Sequence, residues 1–391
     1  MDDKDDLNYS FNDPTNGISK EKLRKLHSIY DKAVIFTTIS EHDIFENINA
    51  INTSKNSSSD TDSDQENDDN VLPEPITSLY DPTAINLEKK ELIEFSEKQY
   101  HLYTQTYPQK AYDNLCEITK TQSLSTSWML HRAGRITAST CFKISKTQVA
   151  NPSKSLIKQI MQYEKSIDNK YIRYGKNMEP QARTLYSHIQ SKLHQNLTVV
   201  ETGFHVKAAY PFLGASPDGL VSCSGHPTRV LETKCPFKYK DGLVKWEEDK
   251  DFPLNKNYEF KTNHPYYYQI QLQLFICNID IGDFFIFTPS DPSSSITTQV
   301  VRNNSFLENL LKDLRFKFMS ILLPEIVSRA GDDTENARKV YCSCQRPSFG
   351  QMIACDSISC KTEWYHYACV NITRAPKHSW FCSDCKSETK I

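Results

Sequence analysis

GASPDGLV (Gly214–Val221) and LETKCPF (Leu231–Phe237), separated by nine residues, decide the fold. Each alone is ordinary. Ser-Pro-Asp-Gly is a type I turn signal whatever its use, and Glu-x-Lys on a strand is most simply a charged pair on a solvated face. Their combination is more specific. Residues two apart on a strand point to the same side, so Glu232 and Lys234 share a face. A hairpin between the two segments brings Asp218 alongside them. Hard oxygen donors clustered in this way suit Mg²⁺ or Mn²⁺ rather than zinc.

Working outward, strand-like runs LTVVETGFHV, RVLETKC, FFIFTP and ITTQVV alternate with helical stretches. NLEKKELIEFSEKQYHLYTQTY reads as a helix. GKNMEPQARTLYSHIQSKL places Met178, Ala182, Leu185, Tyr186, Ile189 and Leu193 on one helical face, with Pro180 in its first turn. HPYYYQIQLQLFIC reads as a helix with Tyr267, Ile270, Leu274 and Cys277 on one side. SFLENLLKDLRFKFMSILL is amphipathic through Leu307, Leu310, Leu311, Leu314, Phe318 and Leu322, and is expected to stop at Pro324. Interleaved strands and helices imply an α/β (α+β) core, a mixed central sheet flanked by helices.

With WMLHRAGRITAS (Trp128–Ser139) and YGKNMEPQARTLY (Tyr174–Tyr186), the two opening motifs resemble the PD-(D/E)XK nucleases, and among them the lambda-exonuclease and YqaJ viral recombinase family. The resemblance spans about residues 125–320 through short, separated motifs. It implies a metal-dependent deoxyribonuclease acting on DNA, with double-stranded ends as substrate and 5′-end-directed exonuclease action. Asp218 and Glu232, with the Thr233 carbonyl, would hold metal, and Glu179 would hold the second ion from its helix. Lys234 would orient the attacking water or neutralise developing charge, and Gln269 would support the site. Arg132, Ser139, Ser216 and Lys240 stand where the phage enzyme binds the 5′-phosphate, Lys240 replacing an arginine. An acidic residue the phage enzyme carries about ten positions before its SPDG aspartate has no counterpart in Ala208, Ala209 and Tyr210. A second reading keeps the fold as a catalytically inactive DNA-binding scaffold, and a third derives the chain from a mobile element.

Seven of the twelve cysteines fall between Cys342 and Cys385. Their spacing, Cys342-x-Cys344, Cys355-x4-Cys360, His366-x2-Cys369 and Cys382-x2-Cys385, supplies eight ligands in four pairs, enough for two closed tetrahedral zinc sites. The other five, Cys116, Cys141, Cys223, Cys235 and Cys277, read as reduced thiols. YCSC, SFGQMIACD, CKTEWYHYACV and PKHSWFCSDC resemble the PHD fingers of inhibitor-of-growth proteins. That family's cross-brace implies one zinc on Cys342, Cys344, His366 and Cys369, and another on Cys355, Cys360, Cys382 and Cys385. Those fingers read the histone H3 N-terminal tail methylated at its fourth-position lysine. Aromatic faces stabilise a quaternary ammonium, and the resemblance implies a cage of Tyr341, Met352 and Trp364, with Phe349 close by. Asp356 would pair with the arginine at the second position of the tail, and carbonyls near Pro376 and Lys377 would hold its N-terminus. His378 stands where those relatives have glycine.

The chain of 391 residues carries a formal net charge of −3, so a grip on DNA must come from a local basic groove. MDDKDDLNYS is not a signal peptide, and no run approaches the roughly 18 apolar residues of a membrane span. Residues 1–85, with the polar stretch Asn52–Asn70, read as an acidic, Ser-rich disordered tail. The expected domains are 86–327 for the nuclease, 328–340 for a linker and 341–386 for the finger, in a nuclear protein.

Overall fold

The computed structural model describes residues 71–163, 169–332, 340–345, 352–372, 376 and 378–388. Helices α1 (Lys89–Thr106), α2 (Gln109–Ile118) and α3 (Thr126–Arg132) lead into the short strand β1 (Ile136–Thr137). Helices α4 (Cys141–Lys146), α5 (Lys154–Met161) and α6 (Lys170–Gln190) follow. Then come β2 (Thr198–Val200), β3 (Leu213–Gly214), β4 (Gly219–Cys223) and β5 (His226–Lys234). Helix α7 (Pro265–Cys277) crosses over to β6 (Ile281–Ile286), and β7 (Ile296–Val301), α8 (Asn304–Lys317) and α9 (Leu323–Ser328) complete this part.

The central sheet has five strands in the order β2-β4-β5-β6-β7, and only β5 and β6 are parallel. A parallel neighbour needs a crossover connection, and α7 supplies it. It is a mixed sheet flanked by helices, as expected from the interleaving of patterns. On one face Leu231, Phe285 and Phe287 pack with Ala182 and Tyr186 of α6. On the other Val230, Phe284 and Ile286 pack with Tyr267, Ile270 and Leu274 of α7. Alternation along β5 therefore places Glu232 and Lys234, in phase with Val230, on the α7 face. The pair β1–β3 is parallel, with Thr137 opposite Gly214. Gly214 must be glycine because an added Cβ would lie 2.1 Å from the Phe204 ring.

Several boundaries differ from the sequence reading. Folded structure begins before residue 86: Ile76 and Ala84 are wholly buried, and Asp81 N–H donates to the Val327 carbonyl. Residues 1–70, the bulk of the expected tail, lie outside the described residues. Helix α6 starts ten residues ahead of Pro180, which puts the proline inside it, and ends before Leu193, which is exposed. The Asn169 side chain accepts from Tyr171 and Ile172 N–H groups, an N-cap that α6 uses in place of proline. Only Thr198–Val200 of LTVVETGFHV is strand; Phe204 and Val206 turn inward to pack with Tyr112 and Leu115. Helix α8 does not stop at Pro324. A π-turn over Phe318–Leu322 rephases the chain so that Pro324 falls in the first turn of α9, where its missing N–H is not needed. Ser328, expected to open the linker, is the buried last residue of α9, and residues 333–339 lie outside the described set.

In the C-terminal part, β8 (Met352–Ala354) pairs antiparallel with β9 (Trp364–His366), and α10 (Ser383–Glu388) follows. Its small core is Cys342, Cys360, Tyr365, Cys382 and Cys385. Among the described residues no helix is long and apolar enough to cross a membrane.

Candidate functional site

Strand β4 begins at Gly219, directly after Pro217 and Asp218, while β5 runs on past it. The last backbone contact between them is Asp218 N–H to the Leu231 carbonyl, 3.0 Å. Beyond it the Asp218 carboxylate takes the place of a strand, accepting from Thr233 N–H at 2.6 Å and Thr233 Oγ1 at 2.7 Å. Strand alternation puts the Thr233 carbonyl on the same edge as its N–H, beside that carboxylate. Gln122 holds the turn from outside, donating from one amide nitrogen to the Thr202 and Pro217 carbonyls, each at 2.9 Å.

Glu232 is 2% exposed. Its Oε1 accepts from Lys234 Nζ and from Gln269 Nε2, the latter at 2.6 Å. Its Oε2 accepts from Gln273 Nε2 at 2.6 Å. Gln269 and Gln273, one helical turn apart on α7, thus clamp both oxygens. Lys234 Nζ also lies 5.0 Å from the Tyr266 ring centroid. Burial works against its charge, but Glu232 and Asp218 outweigh that and raise its pKa.

Glu179 arrives from α6, on the opposite face of the sheet, and meets Asp218 at the strand end. Burial, then the charge of Asp218 and a hydrogen bond with it, push Glu179 up to about 8. Burial and Asp218 push Glu232 up to about 7, against the pull of Lys234. The structure therefore brings Glu179, Asp218, Glu232, Lys234 and Gln269 to one end of the sheet, from both faces. The three acids are not among the groups whose ligand atoms all lie within 4.8 Å. Glu232 is turned toward its amide and ammonium donors. The donor set is all hard oxygen around one cationic side chain, which fits Mg²⁺ or Mn²⁺.

Of the expected phosphate ligands, Arg132 and Ser216 share a neighbourhood. Ser139 lies in the turn that ends β1, its Oγ 3.1 Å from Thr137 Oγ1. Ser216 Oγ accepts from Trp128 Nε1 at 2.9 Å, and the Arg132 guanidinium lies 4.1 Å from the Trp128 ring. Burial lowers Arg132 to about 10, which leaves it cationic at neutral pH. Lys240 is not brought to them by any contact among the described residues. It pairs with Asp241 and lies 6.0 Å from the Phe237 ring.

In the finger, the ligand atoms of Cys342, Cys344, His366 and Cys369 fall within 4.8 Å of one another, as do those of Cys355, Cys360, Cys382 and Cys385. Cys360 Sγ to Cys382 Sγ is 3.9 Å, close to the roughly 3.8 Å edge of a tetrahedron with 2.3 Å Zn–S bonds. Both sets are candidate zinc sites. Trp364 is 42% exposed, unusual for its size. Met352, opposite His366, is its diagonal neighbour on the same face of the β8–β9 pair. Cys342 N–H donates to the Trp364 carbonyl at 2.8 Å, which sets Tyr341 beside β9. Asp356 has a duty inside the finger that sequence reading missed: its Oδ2 accepts from Trp380 N–H at 2.6 Å. Phe349 and Lys377 lie outside the described residues.

Fold and site together define a chain with a mixed-sheet α/β domain carrying a cluster of acids, and a cysteine-rich finger. Residues 127–280 match the family model of the YqaJ-like viral recombinase domain. The C-terminal region is similar to the chromatin modification-related protein YNG2 of Candida glabrata, 52% identical over 64 residues. That stretch is 16% of this chain and 23% of the relative. It is also similar to YNG1 of Saccharomyces cerevisiae, 49% identical over 71 residues, 17% of this chain and 32% of the relative. The chain thus spans less than a third of the length of either relative. Among solved structures, an alkaline exonuclease from Laribacter hongkongensis overlays on 52% of this chain and 94% of its own, with 23% identity and a TM-score of 0.40. A likeness that weak does not bear on the chemistry of the site.

Proposed function

We propose that this chain is a divalent-metal-dependent deoxyribonuclease, directed to 5′ ends, and that its finger tethers it to chromatin in the nucleus by binding the histone H3 tail methylated at its fourth-position lysine. The observation that carries the nuclease reading is the meeting of Glu179, Asp218, Glu232 and Lys234 at one sheet end. Glu179, Asp218, Glu232 and the Thr233 carbonyl hold the cation. A bound Mg²⁺ or Mn²⁺ supplies the acidity that makes water nucleophilic and shields charge on the phosphodiester. Lys234, kept cationic by Glu232, orients that water and faces the negative charge that builds on phosphorus oxygens. Gln269 and Gln273 hold Glu232 in one rotamer. Arg132, Ser139 and Ser216 cradle the terminal 5′-phosphate, a cation flanked by hydroxyl donors.

The two cysteine clusters each hold one Zn²⁺. Tyr341, Met352 and Trp364 form the face that receives the methylated ammonium, and the Asp356 oxygen not bound to Trp380 receives the tail arginine. Attachment to chromatin raises the local concentration of DNA ends.

The test is digestion of 5′-phosphorylated duplex DNA with Mg²⁺ by the full chain, Asp218→Ala and Lys234→Ala. Losses of about 100-fold or more are expected for each variant. Equal rates in all three proteins sink the mechanism. For the finger, Trp364→Ala should weaken binding of a fourth-lysine-trimethylated H3 peptide by roughly 30-fold, the effect of about 2 kcal/mol of cation–π energy.

A further inference from the structure

A third group of metal-ligating side chains stands away from both the acids and the finger. The ligand atoms of His194, Cys223 and His226 all lie within 4.8 Å of one another. Cys223 and His226 face each other across the two-residue turn of the β4–β5 hairpin, where Gly225 takes a φ of +79°. Cys223 Sγ and His226 Nδ1 are 3.4 Å apart. For bonds of about 2.3 Å to sulfur and 2.0 Å to nitrogen, ligands at a tetrahedral angle sit roughly 3.5 Å apart. The hairpin is already set to the edge length a zinc ion requires.

His194 comes from the turn that follows α6. Two hydrogen bonds pin that turn to the hairpin: Ser224 N–H to the Gln195 carbonyl at 2.9 Å, and Asn196 Nδ2 to Ser224 Oγ at 3.0 Å. The His194 and His226 rings meet edge to face at 4.9 Å. His194 Nδ1 is buried and has no hydrogen-bond partner among the described residues. Arg229 Nη1 lies 3.7 Å from Cys223 Sγ, and Asp283 balances the Arg229 charge at 2.7 Å. No hard carboxylate joins the group, so its donors suit zinc and not Mg²⁺.

We infer that His194, Cys223 and His226 bind one zinc ion, separate from the two of the finger and from the acidic site. Among the described residues no further Cys, His, Asp or Glu joins these three. Helix α6 carries Glu179, and the hairpin strands follow Asp218 and carry Glu232. The ion therefore staples together the two elements that present the acids. Cys223, read from sequence as a plain reduced thiol, becomes a ligand.

The full chain is equilibrated with a small excess of zinc, desalted, and its zinc counted by mass spectrometry. Three ions per chain are expected, falling to two in Cys223→Ser and in His226→Ala. Two in the parent protein, or three in the variants, overturns the inference. Thermal unfolding with added zinc checks that the variants are folded: the first transition of the parent shifts upward with zinc, and that of Cys223→Ser does not. Neither readout depends on nuclease activity, so a catalytically inert protein leaves this site testable.

Discussion

Burial beside a second carboxylate holds Glu179 and Glu232 well above the ordinary carboxylate range. Their acidities move from an ordinary 4.5 up to about 8 and about 7 because burial removes water and Asp218 adds a like charge. In the unfolded chain both ionise near their ordinary value. Between that pH and about 7–8 the folded state therefore holds more protons, and stability falls as pH rises. In metal-free buffer the melting temperature should drop from about pH 5 to about pH 8. Added Mg²⁺ should flatten the drop, because it binds the ionised form. Glu179→Gln, uncharged at every pH, should remove most of the slope; an unchanged slope in that variant refutes the assignment. At this scale Asp218, Glu232 and Lys234 were legible from spacing, since a strand's period of two is a backbone property. Gln273, Gln122 and Tyr266 were not. QIQLQ offers three glutamines, and which of them meets a carboxylate depends on how α7 is turned against the sheet.

Among elements, the junction of α6 with the sheet does most to position Glu179. Asp283 on β6 accepts from Arg229 Nε on β5 at 2.7 Å and from the Tyr186 hydroxyl on α6. Arg229 and Asp283 side chains are only 4% and 5% exposed. Asp283→Ala leaves a buried guanidinium without its counter-charge, which costs about 3–5 kcal/mol. Replacing both, as Arg229→Met with Asp283→Leu, should cost much less. Urea unfolding of the two proteins checks this, and equal losses would show that the pair is not the source. Element types were readable from pattern: α7 and β7 lie where periodicity put them. Ends were not. Pro180 reads as a helix start, yet tertiary packing of Ala182 and Tyr186 extends α6 on both sides of it, at the expense of one backbone hydrogen bond. Leu193 fits the helical face by count but falls beyond the last turn.

Over the whole molecule, two kinds of stability are combined. Residues 71–332 bury large apolar clusters, while the finger's core consists mainly of its own ligands. Under the proposed zinc ligation, metal binding supplies most of the finger's folding energy. A strong chelator should abolish H3-peptide binding while leaving the main cooperative unfolding transition in place; one joint collapse of both would contradict it. The sequence by itself determined the ligand spacings, the strand-borne Glu-x-Lys and the alternation of helix and strand, because all of these are local and periodic. Only the tertiary structure decided that Glu179 reaches Asp218 from one face while Gln269 and Gln273 hold Glu232 from the other. It alone placed His194 against a hairpin. Those outcomes depend on how separate elements pack, and packing is a sum of many weak contacts that no short motif encodes.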